Sequence, residues 1–452
     1  LKSGEQFADR LTAAFDENPQ EPQLVHVATD GETYGHHHRF ADMALAYSVY
    51  LIESRDSDAL TIYAEYLDKH PPEWEVEIVE ESSWSCFHGV ERWRSDCGCN
   101  SGGRSSWHQK WRAPLRDALD WLRDNLARIY EERGAKYVRS VWDARDEYIA
   151  LILNRNQDNI NAFMQRHAVK DLSEEERVSL IKLLEMQRHA MLMYTSCGWF
   201  FDEISGIETV QIMEYAARAI QLATEVSGVT LEGAFLDILE RAPSNIKKYG
   251  NGRRVYEKLI KPGVLDPLRV GVHYAVYSLF RENGDQTQLY SYTADSQEFE
   301  VLESGKQRLA LGTVRVQSRI TQEQSVISFC VMHLGDHNLI GAAREFVSEK
   351  KFTNLVDEFK QVFGTGDIPA VLKLVEKHFN HGGYSLWHLF KDEQRVVVRK
   401  LFDSAVHEAI TMFRQVFEHH ASVMQMVDKL KIPPPRVFGA VAEFVLNKDI
   451  RD

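Results

Sequence analysis

A chain of 452 residues with 44% hydrophobic and 27% charged side chains has the make-up of a globular protein with room for two or three cores. Its 53 basic and 67 acidic side chains leave a formal charge of -14, which opposes non-specific attraction to nucleic acid or an anionic membrane and favours a neutral substrate. No run approaches the ~18 consecutive apolar residues of a membrane span, and no charged-then-apolar leader opens the sequence, so a cytoplasmic location is expected.

Over residues 4–15, Phe7, Leu11, Ala14 and Phe15 recur at helical spacing, and Pro19 and Pro22 follow as breakers. The apolar, β-branched run at residues 23–29 predicts a buried parallel strand, with Asp30 and Gly31 turning the chain at its carboxyl end, where α/β folds place chemistry. A helix running straight into such a strand is the pattern of the end of an αβ repeat, so a longer protein is expected around it. Helices are predicted over 41–53 and 57–70, the second closed by Pro71 and Pro72. Residues 80–114 form a long polar loop carrying Trp84, Trp93, Trp107 and Trp111; a loop of that length is functional or disordered, and the tryptophans argue against disorder.

From Pro114 to about Lys261 the pattern is helical almost throughout, with apolar stripes at three- and four-residue spacing. Ser173 followed by three glutamates reads as an N-cap with an acidic first turn, and Met186, Met191 and Met193 read as core. The Pro- and Gly-rich stretch at 261–267 ends that period, and three or four antiparallel strands follow over 288–334. A second helical region is predicted from near Ala342 to the end, interrupted at 364–369, 380–385 and 431–435.

The sharpest local signal is "VATDGETYGHHH", where Asp30 and Glu32 leave the predicted strand beside three histidines. Glycoside hydrolysis needs two carboxyl groups across a sugar, and Asp30 suits one of them; spacing alone equally allows an ordinary Asp-Gly turn with a solvated Glu32. "TDGETYGHHH" resembles the fourth motif of glycoside hydrolase family 57, an Asp-x-Glu-x-aromatic-Gly-His pattern at the end of an incomplete (β/α) barrel. "ESSWSCFHGVERW" looks like the Ser-Trp stretch of the fifth motif, and "MLMYTSCGWFFDEISGIETVQIMEYAARAI" is similar to the helical segment that closes over that family's site. The stretch "FKQVFGTGDIPAVLKLVEKHFNHGGYSLWHLF" looks like an uncharacterised C-terminal domain that accompanies one branch of the family.

The periodicity and the resemblance together imply a mainly α chain: a terminal βα piece of the incomplete barrel in residues 1–40, a helical domain in 41–262 containing the loop 80–114, a small antiparallel β region in 263–341 and a C-terminal helical region in 342–452. The resemblance implies a retaining mechanism on an α-glucan or oligosaccharide, with Asp30 as general acid/base and with Glu32 and His36 holding that acid and lining the pocket. No metal and no organic cofactor are implied. The family's His-x-His motif and nucleophilic Glu are not among the residues before Asp30, so an upstream barrel part of the same protein is expected to supply them, and this chain alone is expected to be inactive.

Trp84 is the aromatic residue expected to stack on sugar, with His88 four positions on in the same pocket, whereas Trp107 and Trp111 read as the start of the following helix. Cys86, His88, Cys97 and Cys99 are four soft donors within fourteen residues, but the spacing is not the usual Cys-x₂-Cys pair, and they are read as loop residues without a metal. Asp202 and Glu203 are placed on a substrate-side wall by the resemblance. Two other readings stay open: a non-catalytic glycan-binding or scaffold protein, and a metal-stapled helical interaction module.

Overall fold

The computed structural model describes residues 3–55, 60–279, 286–305, 307–335, 338–379, 384–389, 391–433 and 436–449. Two compact units divide the chain, Leu1–Glu81 and Ser82–Asp452. The two helices following the Asp30 turn stay in one unit with the helix that precedes it.

In the first unit α1 (Gly4–Thr12) opens on Ser3, whose side chain accepts from the Gln6 N–H. It packs on α2 (Ala41–Glu53), and Arg55 ties back to Asp9 at 2.6 Å. Helix α3 (Tyr63–Lys69) is shorter than predicted, and residues 57–59 of that prediction lie outside the described residues. The strand predicted over 23–29 does not form: the segment has no ladder partner among the described residues, and Leu24 and Val27 are exposed. A parallel strand is stable only when neighbours pair its edges and cover its faces, and neither condition is met here. No closed barrel is present among the described residues.

The second unit begins with the loop leading to α4 (Arg112–Gly134), whose Leu115, Leu119, Leu122 and Leu126 recur every three or four residues and are fully buried. Short helices α5 (Val141–Glu147), α6 (Ile149–Leu153) and α7 (Gln157–His167) lead to α8 (Glu174–Leu192). Ser173 caps α8 through a capping box with Glu176. Helix α9 (Ile207–Ser227) turns Ala216, Ala219 and Ala223 inward, so α8 and α9 approach closely around one core with α4. Met186 and Met193 belong to that core, whereas Met191 is exposed on the opposite face. Helices α10 (Glu232–Leu239) and α11 (Gly252–Val255) complete this region.

A helix not foreseen in the sequence, α12 (Pro267–Ser278), comes before the sheet, with Asp266 capping it and proline at its start. The sheet is a five-stranded antiparallel meander in chain order: β1 (Gln286–Leu289), β2 (Tyr292–Ser304), β3 (Gln307–Ser318), β4 (Gln324–His333) and β5 (Leu339–Glu345). Helix α12 covers one face, against Val314, Ile327 and Phe329; α13 (Glu349–Phe363) and α14 (Ile368–Phe379) cover the other, against Leu309, Leu311 and Cys330. Both faces of the central strands are therefore buried, which is why β3 and β4 read as near-continuous apolar runs. Helices α15 (Lys391–His419), α16 (Ala421–Lys429) and α17 (Arg436–Asp449) follow. No described helix is long and apolar enough to cross a membrane.

Candidate functional site

Asp30 sits just before a single 3₁₀ turn, Gly31–Thr33, in the first unit. Its carbonyl accepts from Thr33 N–H at 3.0 Å, the Glu32 carbonyl accepts from His37 N–H at 2.9 Å, and the Gly35 N–H donates to the His38 carbonyl at 3.1 Å. Gly35 has φ +106°, a conformation strained for any residue with a Cβ, so glycine is needed where the chain doubles back. The backbone is thereby fixed while the Asp30, Glu32 and His36 side chains are exposed. Asp30 makes no capping bond through its carboxylate, and among the described residues no hydrogen bond joins Glu32 or His36 to it.

The segment leading to this turn, residues 23–27, walls an open groove of about 1120 Å³ whose other side carries Phe15, Tyr63, Tyr66 and His70. The His26 ring nitrogen Nδ1 lies 2.9 Å from the Tyr63 hydroxyl, and Tyr66 donates to the Pro22 carbonyl at 3.0 Å, so the two walls are bonded across their base.

Trp84 and His88 belong to the second unit. Trp84 is 82% exposed with its ring 6.3 Å from Phe200, and Phe87 beside it is fully exposed. Trp111 is wholly buried, stacked on Trp199 at 6.2 Å and donating to the Asp202 carbonyl, so it is a core residue at the start of α4 as its spacing indicated. Trp93 donates to the Ser196 carbonyl at 3.3 Å.

His88 turns toward the cysteines. Its Nδ1 is 3.5 Å from Cys99 Sγ, Cys99 Sγ is 3.8 Å from Cys86 Sγ, and Cys86 Sγ is 4.0 Å from Cys97 Sγ. The four donor atoms all lie within 4.8 Å of one another. Burial alone would raise the Cys86 thiol, but backbone N–H groups of His88 and Arg92 and the neighbouring Cys99 and Cys97 outweigh it and bring it down to about 7. Cys97 is pushed the other way, by burial first and by the charge that forms on Cys86. The sequence held these residues but not their convergence, because a reversal between residues 88 and 97 brings the pairs together.

Arg92 and Arg112 anchor this loop to the helical region. The Arg92 guanidinium donates to the Ser85 and Phe200 carbonyls and stacks over the Phe200 ring at 4.4 Å. Arg112 donates to Cys97 Sγ at 3.8 Å and to the Cys99 carbonyl at 3.3 Å. Asp202 and Glu203 are buried and engaged as acceptors: Asp202 takes the Ser101 N–H and hydroxyl, and Glu203 takes the Asn245 N–H at 2.7 Å and the Ser244 hydroxyl at 2.5 Å. They clasp three loops together from inside the fold.

A smaller cleft of about 330 Å³ lies between α9 and the sheet, lined in part by His189, Glu214, Arg218, Tyr292 and Ser318. Burial raises the Glu214 carboxyl, and burial, with Arg218 and Arg188 nearby, lowers His189 to about 4 against the opposing pull of Glu185. Perturbed titratable groups in a concavity mark a candidate binding cleft. Its residues come from two helices, the segment 260–265 and two hairpin turns, so no local sequence signal announced it.

Comparison with curated proteins and with solved structures gives no match. Residues 107–390, well over half the chain, match the family described as Domain of unknown function (DUF3536), and the chain therefore belongs to that family.

Proposed function

We propose that this chain is the C-terminal portion of a retaining α-glucan-processing enzyme, a glycoside hydrolase or glucanotransferase, in which Asp30 is the general acid/base. DUF3536 is a domain known from proteins associated with glycoside hydrolase family 57, which agrees with the motif around Asp30. The observation that carries the reading is an exposed carboxylate, on a backbone turn fixed by its own hydrogen bonds, three residues beyond the 23–27 wall of an open aromatic groove. Flat rings stack on the apolar faces of sugars, and a carboxyl close by in the chain is suited to protonate a departing glycosidic oxygen. The nucleophile in this proposal comes from an upstream barrel part of the same protein.

General acid catalysis contributes about 10²–10⁴-fold when the leaving group is a poor one. In a protein carrying this chain together with its barrel, Asp30→Asn is expected to lower turnover of a natural α-glucan by at least about 100-fold and to spare the first step on an activated aryl glycoside. Activity on the natural glucan within a few-fold of the unaltered protein would reject Asp30 as the acid. This chain assayed alone is expected to give no turnover on either substrate.

A further inference from the structure

We propose that Cys86, His88, Cys97 and Cys99 bind one Zn²⁺ as a closed structural site that staples the loop ahead of α4. Three thiols and an imidazole are a donor set suited to zinc, and the geometry fits it. Tetrahedral zinc with bonds of about 2.3 Å to sulfur and about 2.0–2.1 Å to nitrogen sets sulfurs about 3.8 Å apart and nitrogen about 3.5 Å from sulfur. The separations here are 3.8 and 4.0 Å between sulfurs and 3.5 Å between His88 Nδ1 and Cys99 Sγ.

The backbone gives an independent indication. In each half the two donors stand two residues apart, Cys86 with His88 and Cys97 with Cys99. Gly89 and Gly98, with φ +76° and +81°, allow the tight turns that aim both donors of each pair the same way. Arg112 donates to Cys97.

Four protein donors leave no open position, which makes the site structural and not catalytic. The loop has reason to need one, since among the described residues between Ser82 and Trp111 the only helical turn is the 3₁₀ turn Glu91–Trp93. A metal joining residues 86–88 to 97–99 closes that loop next to the Arg92 and Arg112 anchors and fixes the backbone that displays Trp84 and Phe87. The site lies ahead of the family-matched residues and does not depend on the role proposed for Asp30.

The test uses the full chain purified under reducing conditions and incubated with Zn²⁺, then with Co²⁺ as a spectroscopic substitute. Expected are about one zinc per chain, a melting temperature lowered by several degrees on chelation and restored by Zn²⁺, and the intense visible bands of a tetrahedral thiolate-bound cobalt. Cys97→Ser with Cys99→Ser should lose the metal and the bands, while Cys197→Ser, outside the cluster, keeps both. His88→Cys should retain one metal with a shifted cobalt spectrum, which separates lost ligation from failed folding. Less than about one-tenth zinc per chain after incubation, an unchanged spectrum in the double variant, or a Cys86 disulfide in the reduced preparation would each overturn the proposal.

Discussion

At the scale of single residues, burial separates chemically similar groups. Asp30 is exposed and keeps its carboxylate free of capping, whereas Asp202 is buried and receives both the N–H and the hydroxyl of Ser101. Removing a buried acceptor leaves its donors unsatisfied, so Asp202→Ala is expected to destabilise the second unit by about 2–3 kcal/mol and to speed tryptic cleavage at Arg94 or Arg104. Unchanged urea stability would remove the clasp role. Asp30 stands out in the sequence because a carboxylate before a glycine among histidines is a local pattern. Asp202 does not stand out as a clasp, since its partners Ser101 and Gln109 lie about a hundred positions away and polar groups carry no sign of their future burial. The cysteines fall between these cases: their types were visible, but the reversal that faces the two pairs was not.

At the scale of elements, one ammonium joins the helical region to the sheet. Lys182 on α8 is nearly buried and reaches Glu225 on α9 at 2.8 Å and Glu323 in the turn between β3 and β4 at 2.7 Å. Burial works against its charge, yet the two carboxylates outweigh it and hold its pKa above the ordinary lysine value. Lys182→Met therefore strands two part-buried carboxylates and should cost about 2–4 kcal/mol, while Arg395→Ala, which breaks an exposed pair with Asp392, should change stability by less than about 0.5 kcal/mol. Equal effects in chemical denaturation would contradict this ranking. The long stripes of α4, α8 and α9 and the alternation of the hairpins could be read from spacing because each element's own residues define its apolar face. Two elements could not. Helix α12 carries Val and Gly through its middle and is stabilised by packing, with Gly271 so near Ile327 that a Cβ there would lie 2.8 Å from its methyl carbon. Strand β5 has a small-residue centre, Gly341, Ala342 and Ala343, that reads as neither period and is fixed by its ladder to β4.

At the scale of the whole molecule, a buried histidine, His273, and a largely buried one, His189, are expected to make stability fall in acid. Burial lowers both His189 and His273 to about 4 from an ordinary value of 6.5. Between those values the unfolded chain binds protons that the folded chain refuses, so stability is complete above 6.5 and falls as pH drops toward 4. Each histidine contributes up to about 3 kcal/mol across that window, because a tenfold loss of proton affinity on folding is worth about 1.4 kcal/mol. Replacing both by glutamine should flatten the dependence of the urea midpoint between about pH 6.5 and 4.5, above the range where ordinary carboxylates are neutralised; an unaltered slope would assign the acid sensitivity elsewhere. Folding stability of this kind is separate from the chemistry proposed for Asp30, which has its own direct measurement. Asp30→Asn, in a protein that joins this chain to its barrel, is given an activated aryl α-glycoside with and without azide, and the products and the intact mass are read together. The account predicts a glycosyl-enzyme that accumulates without azide, because no base activates water, and that azide releases as a glycosyl azide of retained configuration. No trapped intermediate, no azide acceleration and near-normal turnover of the natural glucan would contradict it.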